Sequence, residues 1–293
     1  MRVLNFGSLN IDYVYPVDHI ILPGETEPAG EVTENCGGKG LNQSIALAKA
    51  GVEVCHAGLV GEEGDVLIDK CREHGVKTDL IRKIPGRSGH TIIQVDRDGQ
   101  NSILLFGGAN RKITKEYVDH VLSSFEKDDL LILQNEINLM DYIVDEAYGK
   151  GMKVIMNPSP FDDSLKQVDM SKVTLFFLNE IEGSQMTGEK EPDLILKTLH
   201  RLYPGAKVVL TLGGDGAVYS DGEVRYRQGI FKVKAVDTTA AGDTFTGYFV
   251  ASMVEGMSIP KGLELAARAS SITVTRPGAT DSIPFRREVE GTV

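Results

Sequence analysis

Short apolar runs alternate along most of the chain with segments in which apolar residues recur at helical spacing. From residue 113 onward the alternation is regular, and it predicts buried strands at 130–133, 154–156, 174–178 and 207–212. Helices are predicted between these strands, for example at 115–125 and 194–203. Strands that alternate with helices form a parallel sheet with right-handed crossovers and helices on its faces. The pattern therefore predicts an α/β fold, a three-layer sandwich around a mainly parallel central sheet.

Two segments interrupt this rhythm. Residues 13–36 hold several prolines and glycines between short alternating pieces, which predicts strands that project from the central sheet. In residues 88–108, two alternating runs flank Asp98-Gly99, a pair typical of a hairpin turn. We expect the two insertions to pair as a small β-sheet lid. Because no linker or internal repeat divides the chain, residues 1–293 are predicted to form a single domain.

A turn of small residues, 240–242, is the strongest candidate for chemistry. The alternating run 231–236 before it predicts a strand, and 244–257 after it predicts a mostly buried helix. Small residues at a helix start let backbone N–H groups approach an anion closely. Asp243 follows at once, where a carboxylate can accept a proton from the hydroxyl of a second substrate. An aspartate that caps the helix fits the same pattern, so both interpretations stay open.

A second glycine-rich turn, 37–42, opens a helix that Gly51 ends. It has neither P-loop nor dinucleotide-fingerprint spacing, which disfavours a dehydrogenase. Polar residues also follow several predicted strands, at the edge where parallel sheets bind ligands. They are Asn10, Asp12, Glu136, Asn157, Asn179, Glu182 and Thr211. Each alone is typical of a turn, but together they indicate a site.

Composition narrows the range of partners. The net charge of −11 argues against nucleic acid, because no excess of Lys and Arg can neutralise phosphates. Cys36, Cys55 and Cys71 have no metal-ligand spacing, and their odd number argues against a disulfide framework. No apolar stretch approaches the roughly 20 residues that span a bilayer. The protein is therefore predicted to be cytoplasmic, with small molecules as its partners.

Several motifs, in order along the whole chain, resemble the ribokinase-like (PfkB) family of carbohydrate kinases. They lie at 7–12, 23–26, 37–42, 179–182, 211–213 and 237–243. The sequence is most similar to the ribokinases of that family, because G-G-K-G-x-N and D-T-x-A-A-G-D-T-F occur together with a late T-R-x-G-A.

The resemblance implies transfer of the γ-phosphoryl group of ATP to a sugar hydroxyl, with Mg²⁺ and an activating K⁺. In the ribokinases the sugar is D-ribose and the product is D-ribose 5-phosphate. The implied general base is Asp243, and the implied anion hole is Ala240, Ala241 and Gly242. The implied sugar-binding residues are Asn10, Asp12, Gly38, Lys39, Asn42, Glu136 and Asp243. The implied ATP-binding residues are Asn179, Glu182, Thr211, Gly213, Gly214, Gly216, Gly242 and Ala267, with Asn179 and Glu182 also near Mg²⁺. The implied monovalent-cation residues are Asp237, Thr239, Thr273, Arg276, Gly278 and Ser282.

Two departures from the family pattern bear on the substrate. Thr91, after His90, stands where a small apolar residue is expected on the sugar-facing side of the lid, and Asp215 and Pro277 stand where basic residues are common. Kinases for another small sugar or a nucleoside, such as deoxyribose, fructose or pseudouridine, therefore stay alternatives. A non-catalytic sugar or nucleotide sensor is disfavoured because it would not need the base Asp243. Exposed strand edges in the lid predict a homodimer formed through it.

Overall fold

A computed structural model describes residues 1–291, and the predicted domain end at residue 293 lies outside them. The strands are β1 (Val3–Phe6), β2 (Asn10–Pro16), β3 (Thr33–Gly37), β4 (Val54–Val60), β5 (Lys77–Lys83), β6 (Gly89–Val95), β7 (Asn101–Phe106), β8 (Leu130–Gln134), β9 (Lys153–Asn157), β10 (Val173–Asn179), β11 (Lys207–Thr211), β12 (Ala217–Ser220) and β13 (Arg225–Gln228). The helices are α1 (Lys39–Lys49), α2 (Asp65–Glu73), α3 (Lys115–Leu122), α4 (Met140–Gly149), α5 (Glu180–Thr187), α6 (Pro192–Leu202), α7 (Ala241–Val254), α8 (Ile259–Thr273) and α9 (Arg286–Glu290). Among residues 1–291, none of the helices has both the length and the apolar character needed to cross a bilayer.

Nine strands form the central sheet, in the order β13-β12-β11-β10-β9-β8-β1-β4-β5. The strands from β11 to β5 in this order run parallel, and the β12–β13 hairpin adds two antiparallel strands at one edge. In β8, Leu131 and Leu133 join one apolar core with α3, α4 and α6, while Leu130 and Ile132 join another with α1, α7 and α8. This division follows because successive side chains of a strand point to opposite faces. The predicted three-layer α/β sandwich is confirmed.

A separate four-stranded sheet has the order β3-β2-β6-β7. Its centre is the parallel pair β2–β6, which joins the two insertions predicted from the sequence. The β6–β7 hairpin turns at Asp98-Gly99, where Gly99 has a positive φ of 78° and Asp96 accepts the N–H groups of Asp98 and Gln100. The predicted small β-sheet is confirmed, and we call it the lid sheet.

The prediction of a strand at 231–236 was wrong, because this segment is irregular. The N–H of Val236 donates to the carbonyl of Val274 at 2.7 Å, which ties the segment to the end of α8. Phe231, Val233 and Ala235 line a cavity, whereas Lys232 and Lys234 between them are exposed and line none of the cavities. Side chains that alternate between a cavity and solvent give the same sequence pattern as a half-buried strand.

Three short elements were not predicted from the sequence: β5, α5 and α9. The sequence predicts only polar residues after the strand at 174–178, but Glu180 begins α5 immediately after β10. The apolar residues of α5 do not form a single stripe, so its sequence gives no helical period.

The starts of α1 and α7 meet at the carboxyl ends of β9, β10 and β11. The two helices pack closely, since a Cβ atom at Gly247 of α7 would overlap the side chain of Ala46 in α1. As a result Lys39 and Ala241, the first residues of the two helices, line one cavity.

Candidate active site

Three adjoining cavities follow the carboxyl edge of the central sheet. The lid-side cavity, of about 710 Å³, lies between the lid sheet and the helix starts, and its lining includes Thr91, Leu105, Glu136 and Asp243. The central cavity, of about 220 Å³, is bounded by residues that include Asn157, Asn179, Ala241 and Gly242. The distal cavity, of about 410 Å³, is bounded by residues that include Thr211, Phe231, Phe245 and Ala267. Lys39, Ala240 and Asp243 line both the lid-side and central cavities, and Thr211, Thr238, Ala241 and Gly242 line both the central and distal cavities.

Asp243 lies on the wall between the lid-side and central cavities. Its Oδ2 accepts Asn42 Nδ2 at 2.9 Å, and its Oδ1 accepts Gln43 Nε2 at 2.9 Å. Burial raises the pKa of Asp243 above its ordinary value, although the Lys39 ammonium and the two amides oppose that rise. Asn42 Oδ1 is buried and accepts no hydrogen bond from the described residues, so it is available to a ligand hydroxyl.

The helix-cap interpretation of Asp243 is excluded by its position. Ala240 is the N-cap of α7, in the left-handed conformation with φ 60°, and Asp243 is the third residue of the helix. Within residues 1–291 no side chain caps this helix start. No side chain of the described residues accepts its first-turn N–H groups at the central cavity: the Ala241 N–H donates to the Thr238 carbonyl at 3.3 Å, and Gly242 follows it in the cavity lining. N–H groups at a helix start attract anions.

Asp12 is the second carboxylate of the lid-side cavity. Thr91 Oγ1 donates to Asp12 Oδ1 at 2.5 Å, so the residue that departs from the family pattern contacts a predicted sugar-binding group. Burial raises the pKa of Asp12 to about 6; Thr91 and Lys39 act to lower the pKa, and Glu136 acts to raise it.

Glu136 ties the start of α1 to the strand ends. Its Oε2 accepts the Lys39 N–H at 3.0 Å and the Ser8 hydroxyl, and Lys39 Nζ lies 3.5 Å from its Oε1. Burial disfavours the Lys39 ammonium, but Glu136, Asp243 and Glu182 outweigh this effect and raise the Lys39 pKa. A charged lysine thus lies beside both cavities that Asp243 separates.

Asn10 and Gly38 complete the predicted sugar-binding set in the lid-side cavity. Asn10 Oδ1 accepts Asn110 Nδ2 at 2.7 Å, and Asn110 Oδ1 accepts the Leu9 N–H at 3.1 Å. Asn110 was not predicted, because it lies on a short 3-10 turn that leaves no periodic signal. Gly38 has φ 94°, a conformation that strongly favours glycine, and a Cβ there would approach the Asn10 backbone nitrogen at 3.2 Å.

The predicted nucleotide residues divide between the other two cavities. Those of the distal cavity are Thr211, Gly213, Gly214, Gly216, Gly242 and Ala267. Phe231, Val233, Phe245 and Val274 give this cavity apolar walls, which suit a flat ring. Asn179 and Glu182 instead line the central cavity.

Asn179 and Glu182 bind each other. The Asn179 N–H and Nδ2 donate to Glu182 Oε2 and Oε1 at 2.9 and 3.0 Å, and the Glu182 N–H donates to Asn179 Oδ1 at 2.8 Å. Among residues 1–291 no group of three or more His, Cys, Asp or Glu side chains could hold a metal. Mg²⁺ usually keeps several waters, so this pair fits it through water rather than by direct coordination. Asn157 Oδ1, buried at the same cavity and without a donor from the described chain, is a further polar group for such waters.

The six residues predicted for a monovalent cation fall into two groups. Asp237, Thr239 and Gly278 lie together at the lid-side cavity. Asp237 Oδ1 accepts the Thr239 N–H and hydroxyl at 2.8 and 2.6 Å, and its Oδ2 accepts the Gly278 N–H at 2.9 Å. The carboxylate thus joins the loop before α7 to the loop after α8.

The other three side chains point elsewhere. The Thr273 hydroxyl donates to the Ala269 carbonyl, Arg276 binds Glu288, and the Ser282 hydroxyl donates to the Ala279 carbonyl. Thr273, Arg276 and Ser282 line none of the three cavities described above. They fit a cation only through backbone carbonyls.

Comparison with known proteins places these features in a family. Residues 2–286 match the model of the pfkB family carbohydrate kinases. The chain is 34% identical over 288 residues to a ribokinase of Bacillus subtilis, covering 97% of this chain and 96% of the relative. It is 36% identical over 312 residues to a ribokinase of Schizosaccharomyces pombe (99% and 97%), and 30% identical over 301 residues to a deoxyribokinase of Salmonella typhi (97% and 96%). The structure of an Arabidopsis thaliana ribokinase complexed with ribose and ATP superposes with a TM-score of 0.87 at 29% identity, covering 99% of this chain and 97% of that one. This chain belongs to the pfkB family of carbohydrate kinases.

Proposed function

We propose that the protein transfers the γ-phosphoryl group of ATP to O5 of D-ribose, giving D-ribose 5-phosphate and ADP. The position of Asp243 carries the proposal, because its carboxylate lies on the wall between the lid-side and central cavities. A sugar hydroxyl on one side can there face a phosphoryl group on the other. The similarity to curated ribokinases, and to a ribokinase structure with ribose and ATP, supports the same assignment.

Asp243 acts as the general base. A carboxylate is too weak a base to ionise an alcohol in advance, so it takes the proton late, as the attacking oxygen bonds to phosphorus in a loose transition state. Asn42 and Gln43 fix both carboxylate oxygens while this happens. The proton moves from the sugar O5 to Asp243, the γ-phosphoryl group moves from ATP to that oxygen, and ADP leaves.

The start of α7 stabilises the charge of the phosphoryl group in transit. The N-cap Ala240 and the first-turn residues Ala241 and Gly242 line the central cavity, and amides fixed in advance need no reorganisation during transfer. The Lys39 ammonium at the same cavity adds a positive charge. Thr211, Gly213, Gly214, Gly216 and Ala267 form the walls for the rest of the nucleotide.

The metal assignments rest on the donor chemistry of these residues. Asn179, Glu182 and Asn157 would hold Mg²⁺ through its waters, and the ion would supply positive charge to neutralise the phosphates. The loops fixed by Asp237 would hold K⁺ through backbone carbonyls. The six residues of this cation site are Asp237, Thr239, Thr273, Arg276, Gly278 and Ser282.

The lid sheet serves two further purposes. Residues 1–293 act as one domain in which insertions 13–36 and 88–108 close over the sugar. Leu104 and Phe106 of the edge strand β7 are 66% and 51% exposed, and an edge strand with exposed apolar residues needs protection. A homodimer through the lid sheet would protect this edge strand, and light scattering that finds a monomer at micromolar concentration would contradict the homodimer.

The cytoplasmic location stays a prediction.

A substrate panel tests the function. ADP release is measured with D-ribose, 2-deoxy-D-ribose, D-fructose and pseudouridine, each with and without potassium. We expect the highest kcat/KM with D-ribose and a gain with potassium. A higher kcat/KM for the nucleoside would contradict the proposal, and binding of sugar and ATP without any turnover would indicate a sensor.

Deoxyribose is the second candidate, and the contact between Thr91 and Asp12 favours it. The Thr91 hydroxyl occupies Asp12 Oδ1, which leaves this carboxylate fewer acceptor positions for a vicinal diol. A 30%-identical relative is a deoxyribokinase. A kcat/KM for 2-deoxy-D-ribose above that for D-ribose would make it the substrate.

A further inference from the structure

Five polar side chains form a continuous hydrogen-bonded row behind Asp243. They are Gln43, Gln134, Asn5, Ser44 and His56, and the exposure of each is 0%. None of the five lines the three cavities described above, so they do not bind a ligand there. Buried polar groups are costly, and apolar side chains of similar size would fill this space at lower cost. A row of this kind therefore needs a functional reason.

The row begins at the base and ends deep in the protein. Gln43 Nε2 donates to Asp243 Oδ1 at 2.9 Å, and Gln134 Nε2 donates to Gln43 Oε1 at 2.7 Å. The same Gln134 Nε2 donates to Asn5 Oδ1 at 2.9 Å. Beyond it, Asn5 Nδ2 donates to the hydroxyl of Ser44 at 2.8 Å, and that hydroxyl lies 2.7 Å from Nδ1 of His56.

A backbone carbonyl fixes the direction of every amide in the row. Asn5 Nδ2 also donates to the Gly40 carbonyl at 2.7 Å, and a carbonyl can only accept. Asn5 must therefore turn its oxygen toward Gln134, and Gln134 must present its NH₂ group. The two N–H donors of that group supply Asn5 and Gln43, which turns the NH₂ group of Gln43 toward Asp243.

We propose that Gln134 and Asn5 are positioning residues, which lock the Gln43 amide so that Asp243 always meets an N–H donor and never the Gln43 oxygen. A protonated Asp243 would need an acceptor at that position, and Gln43 could offer one only by reversing its amide. The reversed amide would set its NH₂ group against that of Gln134. The row thus favours the ionised carboxylate, the form that can accept a proton. This inference rests on the proposed role of Asp243 as the base.

The charged groups around Asp243 are distinct from the row. Lys39 and Glu136 face Asp243 from the start of α1 and the end of β8, Asp12 and Asp237 line the lid-side cavity, and Glu182 faces Lys39. At the far end of the row burial lowers the pKa of His56 to about 4, so this ring is neutral in the usual assay range. Asp12 acts on sugar binding, so the pH dependence of kcat at saturating sugar reports the protonation of Asp243 rather than that of Asp12.

The test compares Gln134→Met and Gln134→Glu with the wild type. Met fills similar space without donors, and an ionised Glu presents oxygens to Gln43 and so reverses its amide. The acid limb of the kcat–pH profile should move upward by about one pH unit in Gln134→Met and further in Gln134→Glu. The KM values for sugar and ATP should stay within about twofold, because the row lines no cavity.

A readout independent of turnover separates this inference from the proposed function. The pKa of Asp243 is followed by ¹³C NMR in protein labelled at aspartate carboxyls, with Asp243→Asn identifying the resonance. Asn138→Ala is the matched control: its amide binds the N–H and carbonyl of Ile113, away from the cavities, and its loss should leave the titration unchanged. If Gln134→Met fails to fold, Gln43→Met provides the test instead, and the pKa of Asp243 is again expected to rise. A titration of Asp243 that stays at the wild-type position in the folded variants would overturn the inference, whether or not ribose is the substrate.

Discussion

The lid-side and distal cavities, at the two ends of the row of three cavities, are lined by different kinds of chemical group. The lid-side cavity places two carboxylates, Asp12 and Glu136, and the Lys39 ammonium beside Asp243. The distal cavity has backbone at Gly213, Gly214 and Gly216 and apolar walls such as Phe231, Phe245 and Val274. A buried polar site built for hydroxyls rejects molecules that lack them, whereas an apolar slot selects mainly by shape. The comparison indicates that substrate identity is decided at the lid-side end, and that the distal end supplies affinity.

The largest effect on activity is expected at Asp243, on the wall between the lid-side and central cavities. Asp243→Asn keeps the shape of the side chain but removes the base, so kcat should fall roughly 10³-fold. Ribose affinity measured by calorimetry should stay within about an order of magnitude, because the hydrogen bonds of the other lid-side residues remain. A variant with most of its kcat would show that Asp243 is not the base.

The next effect belongs to the lid-side end alone. Glu136→Gln should raise the KM for ribose roughly 30-fold, because it weakens charge-assisted hydrogen bonds from Ser8 and Lys39 that hold the start of α1. The KM for ATP should change much less. Steady-state kinetics with each substrate varied in turn checks this, and equal increases in both KM values would contradict the division between the two ends.

A pH experiment sharpens the role of Asp12. Its pKa is raised to about 6 by burial, so kcat/KM for ribose should fall as pH drops through 6 and the carboxylate becomes protonated. Thr91→Val removes the hydrogen bond that lowers this pKa, and the acid limb should move upward by about half a unit. An unchanged limb in Thr91→Val would show that the hydroxyl does not stabilise the carboxylate.

The raised pKa of Asp12 favours the folded state at low pH, whereas the protonation of Asp12 at low pH is expected to lower activity. The folded pKa of about 6 exceeds the ordinary value of 3.8, so the folded state binds the proton more tightly. The contribution of Asp12 to the free energy of unfolding is therefore complete below pH 3.8 and is lost as pH rises to 6. Urea unfolding of Asp12→Asn and wild type at pH 4 and pH 7 measures this difference.

The smallest effect is expected at the distal end. Phe231→Leu removes an aromatic wall of the distal cavity, and the KM for ATP should rise about fivefold with the KM for ribose unchanged. Tyr226→Leu, a comparable loss of an aromatic ring on β13 outside the cavities, is the matched control. A rise in the KM for ribose as large as that for ATP would show that the two ends are not independent.

The sequence grouped Asn10, Asp12 and Glu136, and in the structure all three line the lid-side cavity. Glu136 follows the end of β8 as predicted, whereas Asn10 and Asp12 lie within β2 of the lid sheet and not after a strand of the central sheet. The sequence pattern failed for 231–236, where side chains alternate between a cavity and solvent rather than between two faces of a sheet. The row behind Asp243 could not be seen either. Gln134 and Asn5 lie within strands, and only the three-dimensional packing shows which hydrogen-bond donors and acceptors they meet.

The most direct test of the account is the product itself. D-ribose and ATP with Mg²⁺ are incubated with the wild type and with Asp243→Asn, and ³¹P NMR follows the phosphate. We expect a phosphomonoester coupled to the C5 protons of ribose, formed together with an equal amount of ADP in the wild type and absent with the variant. A phosphate on another ribose oxygen, or equal product from the variant, would contradict the proposed transfer at Asp243.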